Sequence, residues 1–159
     1  MVFIAALCAA LSFGGCADPR APAGDSSPVT LVKVRDGDSL VVRMNGQPLE
    51  VRLHGIDAPE RGQPYGDASR KGLVNLVNDK TLLMERRTVD RYDRHVALIT
   101  VAGSTTSVNQ QMLERGHAWH YVRYDQNPAW ARSHSAAKSA KKGLWSNPKP
   151  IAPWEWRQR

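Results

Sequence analysis

The chain predicts an α+β fold in which a small five-stranded β-barrel dominates and three helices pack at one end. Three observations carry that expectation. Leu49, Val51 and Leu53 alternate with Glu50, Arg52 and His54, the two-residue period of a half-buried strand. Runs of similar character recur on either side of polar turns at Asp36-Gly37-Asp38, Asn45-Gly46 and Asp90-Arg91-Tyr92-Asp93-Arg94. After the third run the period changes to 3.6, and Ala68, Gly72, Leu73, Leu76 and Val77 fall on one helical stripe over residues 65–78.

The elements follow in order. Residues 1–15 are apolar and small and carry no charged side chain, a stretch too short to span a bilayer. Gly14-Gly15-Cys16 then sets small residues before a cysteine, as at a bacterial lipoprotein cleavage site. Missing Lys and Arg at the start and Phe13 three before the cysteine depart from that pattern. Residues 1–16 are therefore expected to be an export signal, with Cys16 a point of membrane attachment. Residues 17–28 have the Pro, Ala, Gly and Ser composition of a flexible linker.

The folded domain is expected over 29–146, with strands at 29–34, 40–44, 48–54, 81–86 and 96–101. Ser107 suits the N-cap of a second helix that Gly116 ends, and Pro128 and Gly143 bracket a third. Residues 147–159, with Pro150, Pro153, Trp154 and Trp156, form a tail whose sequence says nothing of chemistry; it is expected to lie over the domain surface, its arginines adding to the basic field.

Bulk properties narrow the function. A chain of 159 residues supplies one domain with a proper core, and 42% hydrophobic with 23% charged residues is ordinary for a globular protein. A net charge of +7 and an isoelectric point near 9.8 attract polyanions, nucleic acid above all, although anionic membrane surfaces respond too. Both cysteines, Cys8 and Cys16, lie before the domain, which excludes a disulfide framework, a thiolate metal site and a cysteine nucleophile within it.

Chemistry concentrates where the third strand ends. That strand delivers the Arg52 guanidinium, and the turn after it, relaxed at Gly55 and kept extended at Ala58 by Pro59, delivers Asp57 and Glu60. Asp38 comes from a separate turn. Such hard oxygen donors, without a His or Cys cluster, suit calcium or magnesium over zinc. His117 and His120 lack a third ligand. Trp119, Trp130 and Trp145 are read as core, and Asn109 as a buried hydrogen-bonding residue.

The order Asp36-Gly37-Asp38-Ser39, then Arg52 with Asp57-Ala58-Pro59-Glu60, then Asp90-Arg91-Tyr92-Asp93-Arg94 resembles the staphylococcal nuclease (thermonuclease) family. The resemblance runs from about Val29 to Trp145. It implies an OB-type barrel and calcium held by Asp38, Asp57 and the carbonyl of Ala58, with Asp36 in support. It implies that Glu60 assists the attacking water and that Arg52 and Arg94 hold the phosphate. Arg91, Tyr92 and Tyr124, the last favoured over Tyr121, would bind the nucleotide. Ser39 and Ala58 stand where the family usually has threonine, and Asp93 where it has glycine.

The implied activity is calcium-dependent hydrolysis of DNA and RNA with little sequence preference, single strands preferred, leaving 3′-phosphorylated products. The chain is expected to act as a monomer, secreted, periplasmic or lipid-anchored. A catalytically silent OB-fold nucleic-acid-binding module is the alternative. A purely structural envelope lipoprotein would leave the acids and arginines unexplained. Asp38, Arg52, Asp57, Glu60 and Arg94 occurring together distinguish the enzyme from both.

Overall fold

The computed structural model describes residues 25–159, so the expected signal and residues 17–24 of the expected linker lie outside the described residues. Five strands close a barrel: β1 (Ser26–Val34), β2 (Ser39–Met44), β3 (Gln47–Leu53), β5 (Leu82–Val89) and β6 (His95–Val101), in the order β1-β2-β3-β6-β5. The remaining pair, β4 (Ile56–Asp57) and β7 (Trp119–His120), forms a two-stranded sheet of its own. Neighbours in the barrel run antiparallel except β3 and β6, which are parallel and set Arg52 opposite Val96.

Closure depends on β1 serving two partners. Its first half pairs with β5, from Ser26 opposite Glu85 to Val29 opposite Leu82, and its second half pairs with β2. A register shift between Leu31 and Lys33 falls within the half paired with β2, and such a bulge adds the bend a closing strand requires. The strand therefore starts at Ser26, inside the stretch whose composition reads as linker. Ladder hydrogen bonds and the bend, rather than side-chain hydrophobicity, recruit those residues. The Asn45-Gly46 hairpin is as expected, with both residues at positive φ.

Apolar side chains from all five barrel strands fill the interior, among them Val29, Leu40, Val51, Leu82 and Ile99. Helix α1 (Gly66–Val77) covers it with Leu73, Leu76 and Val77, and α2 (Val108–Glu114) with Val108, Met112 and Leu113. On α1 the buried stripe takes Ser69 rather than Ala68, because the Ser69 hydroxyl donates to the His117 carbonyl at 2.7 Å. Ser107 caps α2 by accepting from the Gln110 amide, and the Asn127 side chain caps α3 (Pro128–Ser139) at the Ala129 amide. Trp130 joins the main core, while Trp145 and Leu144 form a smaller cluster against Tyr65 and Trp119. A fourth α-helix, the single turn α4 (Pro153–Trp156), brings the α-helices among the described residues to four where three were expected.

Asn109 is fully buried and works as a staple. Its Oδ1 accepts the Ile99 amide, and its Nδ2 donates to the carbonyls of His54 and Ala97. The end of β3 is thereby fastened to β6 just before the turn that carries the acids.

Candidate active site

Two turns of the barrel meet at one end. The Asp36-Gly37-Asp38 turn reaches the loop after β3 so closely that a Cβ on Gly37 would lie 1.9 Å from the Ser69 hydroxyl and 2.7 Å from the Ala58 methyl. Only glycine permits that approach. The Asp36 carboxylate accepts the Asp38 amide at 3.1 Å, which shapes the turn. Asp57 is placed by the β4–β7 pairing opposite Trp119, and the Tyr121 amide donates to the Gly55 carbonyl at 2.9 Å.

The acids so delivered are buried: Asp38 is 5% exposed and Asp57 0%. A buried carboxylate is costly unless its charge and lone pairs are matched. Arg52 supplies the match. Its Nη1 pairs with Asp38, its Nη2 donates to Asp57 at 2.7 Å, and the same nitrogen donates to the Ile56 carbonyl at 3.2 Å. Asp38 also accepts the Ala58 amide at 2.6 Å and the Ser39 hydroxyl at 3.0 Å, so a hydroxyl at position 39 has a direct use. Burial pulls the Arg52 guanidinium below the ordinary arginine value, with Asp57 acting in the opposite sense.

Glu60 stands at the rim. Its amide donates to the Gln63 side-chain oxygen at 2.9 Å, while the Gln63 amide nitrogen donates to the Ile151 carbonyl of the tail at 2.7 Å. The tail then does what the sequence did not foretell. Arg157 bridges Asp57 and Glu60, with Nη2 2.8 Å from Asp57 Oδ2, and Nη1 3.2 Å from Asp57 Oδ1 and 2.5 Å from Glu60 Oε1. The sequence expects residues 147–159 only to lie over the surface and to add positive charge; in the fold one of those charges, Arg157, sits on the acids of the site. The Asp57 hydrogen bonds, then those of Glu60, hold the Arg157 guanidinium above the ordinary arginine value despite burial. The tail's one sequence clue is Trp154 and Trp156, large apolar rings that need a surface to cover.

Arg94 enters from the start of β6, two residues before the partner of Arg52 in the parallel pair. Asp90 holds it, accepting its amide at 3.0 Å and its Nε at 2.8 Å. Burial raises the Asp90 carboxyl, but the backbone and side chain of Arg94 and the Tyr92 amide outweigh that and leave it below the usual carboxylate value. Asp93 adopts a φ of +62°, the left-handed conformation that glycine takes readily, and Arg94 pairs with Asp90. Tyr92 is 64% exposed, with the Arg91 guanidinium 4.8 Å and that of Arg94 5.4 Å from its ring centre. Tyr124 is 61% exposed and meets Tyr121 edge-on, whereas the Tyr121 face is stacked on Trp154 at 5.2 Å. An open cleft of about 280 Å³ beside the first turn is lined by Lys33, Arg35, Arg61 and Arg70 together with Asp36 and Asp67.

Asp38, Arg52, Asp57, Ala58 and Glu60 are therefore one cluster, with Arg94 and Tyr92 on the adjoining turn and Tyr124 beyond the tail. Among the described residues no group of three or more His, Cys, Asp or Glu side chains is arranged to hold a metal ion. The cationic partners of Asp38, Asp57 and Glu60 are the guanidiniums of Arg52 and Arg157; the carboxylate oxygens themselves are of the hard type that calcium or magnesium takes. Arg157 already holds positive charge between Asp57 and Glu60. The histidines have structural partners instead, His117 at Tyr65 and His120 at Asp125.

A family model described as "Staphylococcal nuclease homologue" matches residues 50–147. A relative from Oryza sativa subsp. japonica, named probable staphylococcal-like nuclease CAN1, is 44% identical over 108 residues, 68% of this chain and 32% of its own. An uncharacterized endonuclease of Haemophilus influenzae is 35% identical over 130 residues, covering 81% of this chain and 72% of its own. The protein ParB of Escherichia coli is 34% identical over 137 residues, 80% of this chain and 77% of its own. This chain spans about a third of the length of the rice relative. Asp38 and Arg157 both lie outside the stretch that the family model matches.

Proposed function

Because this chain belongs to the staphylococcal nuclease homologue family, we propose that it is a calcium-dependent nuclease that hydrolyses DNA and RNA with little sequence preference. One observation carries the reading: a partly buried arginine, its side chain 16% exposed, joins two buried aspartates, with a glutamate at the rim and a second arginine on the next turn. Asp38, Asp57 and the Ala58 carbonyl would hold the cation, which when bound supplies positive charge to the scissile phosphate.

Glu60 would accept a proton from the attacking water. The hydroxide bonds to phosphorus, the bond to the 5′ oxygen breaks, and that oxygen takes up a proton from solvent water as it leaves, so the product retains a 3′-phosphate. Negative charge accumulating on the non-bridging oxygens is met by Arg52 and Arg94, whose planar forks contact two oxygens at once. Arg91, Tyr92 and Tyr124 would carry the neighbouring nucleotide, with ring stacking indifferent to sequence.

The test is cleavage of single- and double-stranded DNA and of RNA by the purified chain in calcium, magnesium or chelator. Calcium-dependent cutting is expected, with 3′-phosphate ends, and Glu60→Gln should lower the rate by about 100-fold or more. Tight binding without cutting in any metal would replace the enzyme by a nucleic-acid-binding module. We also propose export with attachment through Cys16, on the strength of the uncharged apolar stretch that precedes it. Cys16→Ser should then move the protein from the membrane to the soluble fraction.

A further inference from the structure

We propose that the C-terminal segment, residues 150–159, is an internal strap that competes with the divalent cation for the site, Arg157 occupying the carboxylates the cation needs. The inference rests on the reading above that a cation binds at these acids. It begins with charge. Asp38, Asp57 and Glu60 are met by two guanidiniums, those of Arg52 and Arg157. A divalent ion in place of Arg157 brings the cluster to neutrality, whereas one beside Arg157 leaves excess positive charge.

Geometry agrees with charge. Arg157 engages both oxygens of Asp57 and one of Glu60, so an ion binding Asp57 must share or displace those bonds. The strap is built to deliver this side chain. Pro153 starts the single turn of α4, Arg157 follows as its C-cap, and Trp154 lies flat on Tyr121 and edge-on against Trp119. Trp154 thereby covers a ring face on which a nucleobase would otherwise stack. Gln63 ties the strap to the site directly, bonding the Glu60 amide with one end and the Ile151 carbonyl with the other.

The same contacts make the strap releasable. The Arg157 side chain is 43% exposed and that of Glu60 35%, so this arm of the bridge is open to water and weak, while the arm to Asp57, 1% exposed, is the one the cation must contest. A cavity of about 150 Å³ is lined both by the loop, at Pro59 and Tyr65, and by the segment, at Pro150 and Ile151, with Trp119 between them in the chain. Cation and substrate would together displace Arg157 from the acids and Trp154 from Tyr121.

Calcium chloride alone is titrated calorimetrically into the full chain, Arg157→Ala and Arg157→Lys, and hydrogen exchange over residues 150–159 is followed with and without calcium. Arg157→Ala should bind calcium about tenfold tighter than the parent, and Arg157→Lys, a point charge without the fork, should fall between. Calcium should also raise exchange over 150–159 in the parent. Equal or weaker binding by Arg157→Ala, or exchange unaffected by calcium, overturns the strap and leaves the cation reading standing. Absence of calcium binding in all three chains overturns the cation reading, and the competition with it.

Discussion

Replacing Arg52 by methionine should destabilise the fold as well as disable the site, because the residue neutralises two buried acids. Methionine has similar reach and fills much of the space, so the change is mainly one of charge. Removing one partner of a buried ion pair typically costs about 3–5 kcal/mol. Here the orphaned acids keep some donors: Ala58 and Ser39 still serve Asp38, and Arg157 still serves Asp57. The lower end, about 3 kcal/mol, is therefore expected. For a domain of this size that corresponds to a fall in Tm of about 10 °C. Thermal unfolding followed by circular dichroism in chelator measures it. Calcium should then raise the variant's Tm more than the parent's, since the ion would supply the missing charge and bind only the folded state. A fall of less than about 3 °C in chelator would refute the argument that Asp38 and Asp57 depend on Arg52.

Other changes probe the frame around the site. Asn109→Ala removes three hydrogen bonds and leaves the buried Ile99 amide unpaired; the expected loss is about 3 kcal/mol, read from the denaturant midpoint. Asp93→Gly relieves the left-handed backbone and should stabilise by about 0.5–1 kcal/mol in the same assay. Burial, reinforced by His120 and Lys138, lowers the pKa of His134 from 6.5 to about 4. The unfolded chain takes up this proton first, so stability is complete above about pH 6.5 and declines as pH falls towards 4. Discounted for partial exposure of the ring, the decline is about 1–2 kcal/mol. His134→Phe keeps the ring packing on Trp145 and should flatten that slope in Tm measured from pH 7 to pH 4.5.

Much of this protein is legible in its sequence because local pattern dictates it. Alternation at Leu49, Val51 and Leu53 is a property of the strand itself, and Asn45-Gly46 and Ser107 specify a turn and a cap through their own backbone and side-chain preferences. Arg52, Asp57 and Glu60 could be anticipated together because one strand and the turn after it carry all three, whereas Asp38, on a separate turn, joins them through the resemblance of the three motifs to the nuclease family. Asp93 in the left-handed region follows from the same local logic.

What no local pattern carries, the tertiary structure decided. Barrel closure through Ser26–Val29 depends on ladder hydrogen bonds to β5 and on a bend in β1, neither of which favours a residue type. The close approach of Gly37 to Ser69 and Ala58 exists only once α1 is docked. Arg157 meets Asp57 a hundred residues away, and that pairing follows from where Trp154 finds a ring to cover and where three buried or rim acids leave negative charge unmet. Charge and apolar area name the kind of partner such a tail requires; only packing in three dimensions selects which one it finds.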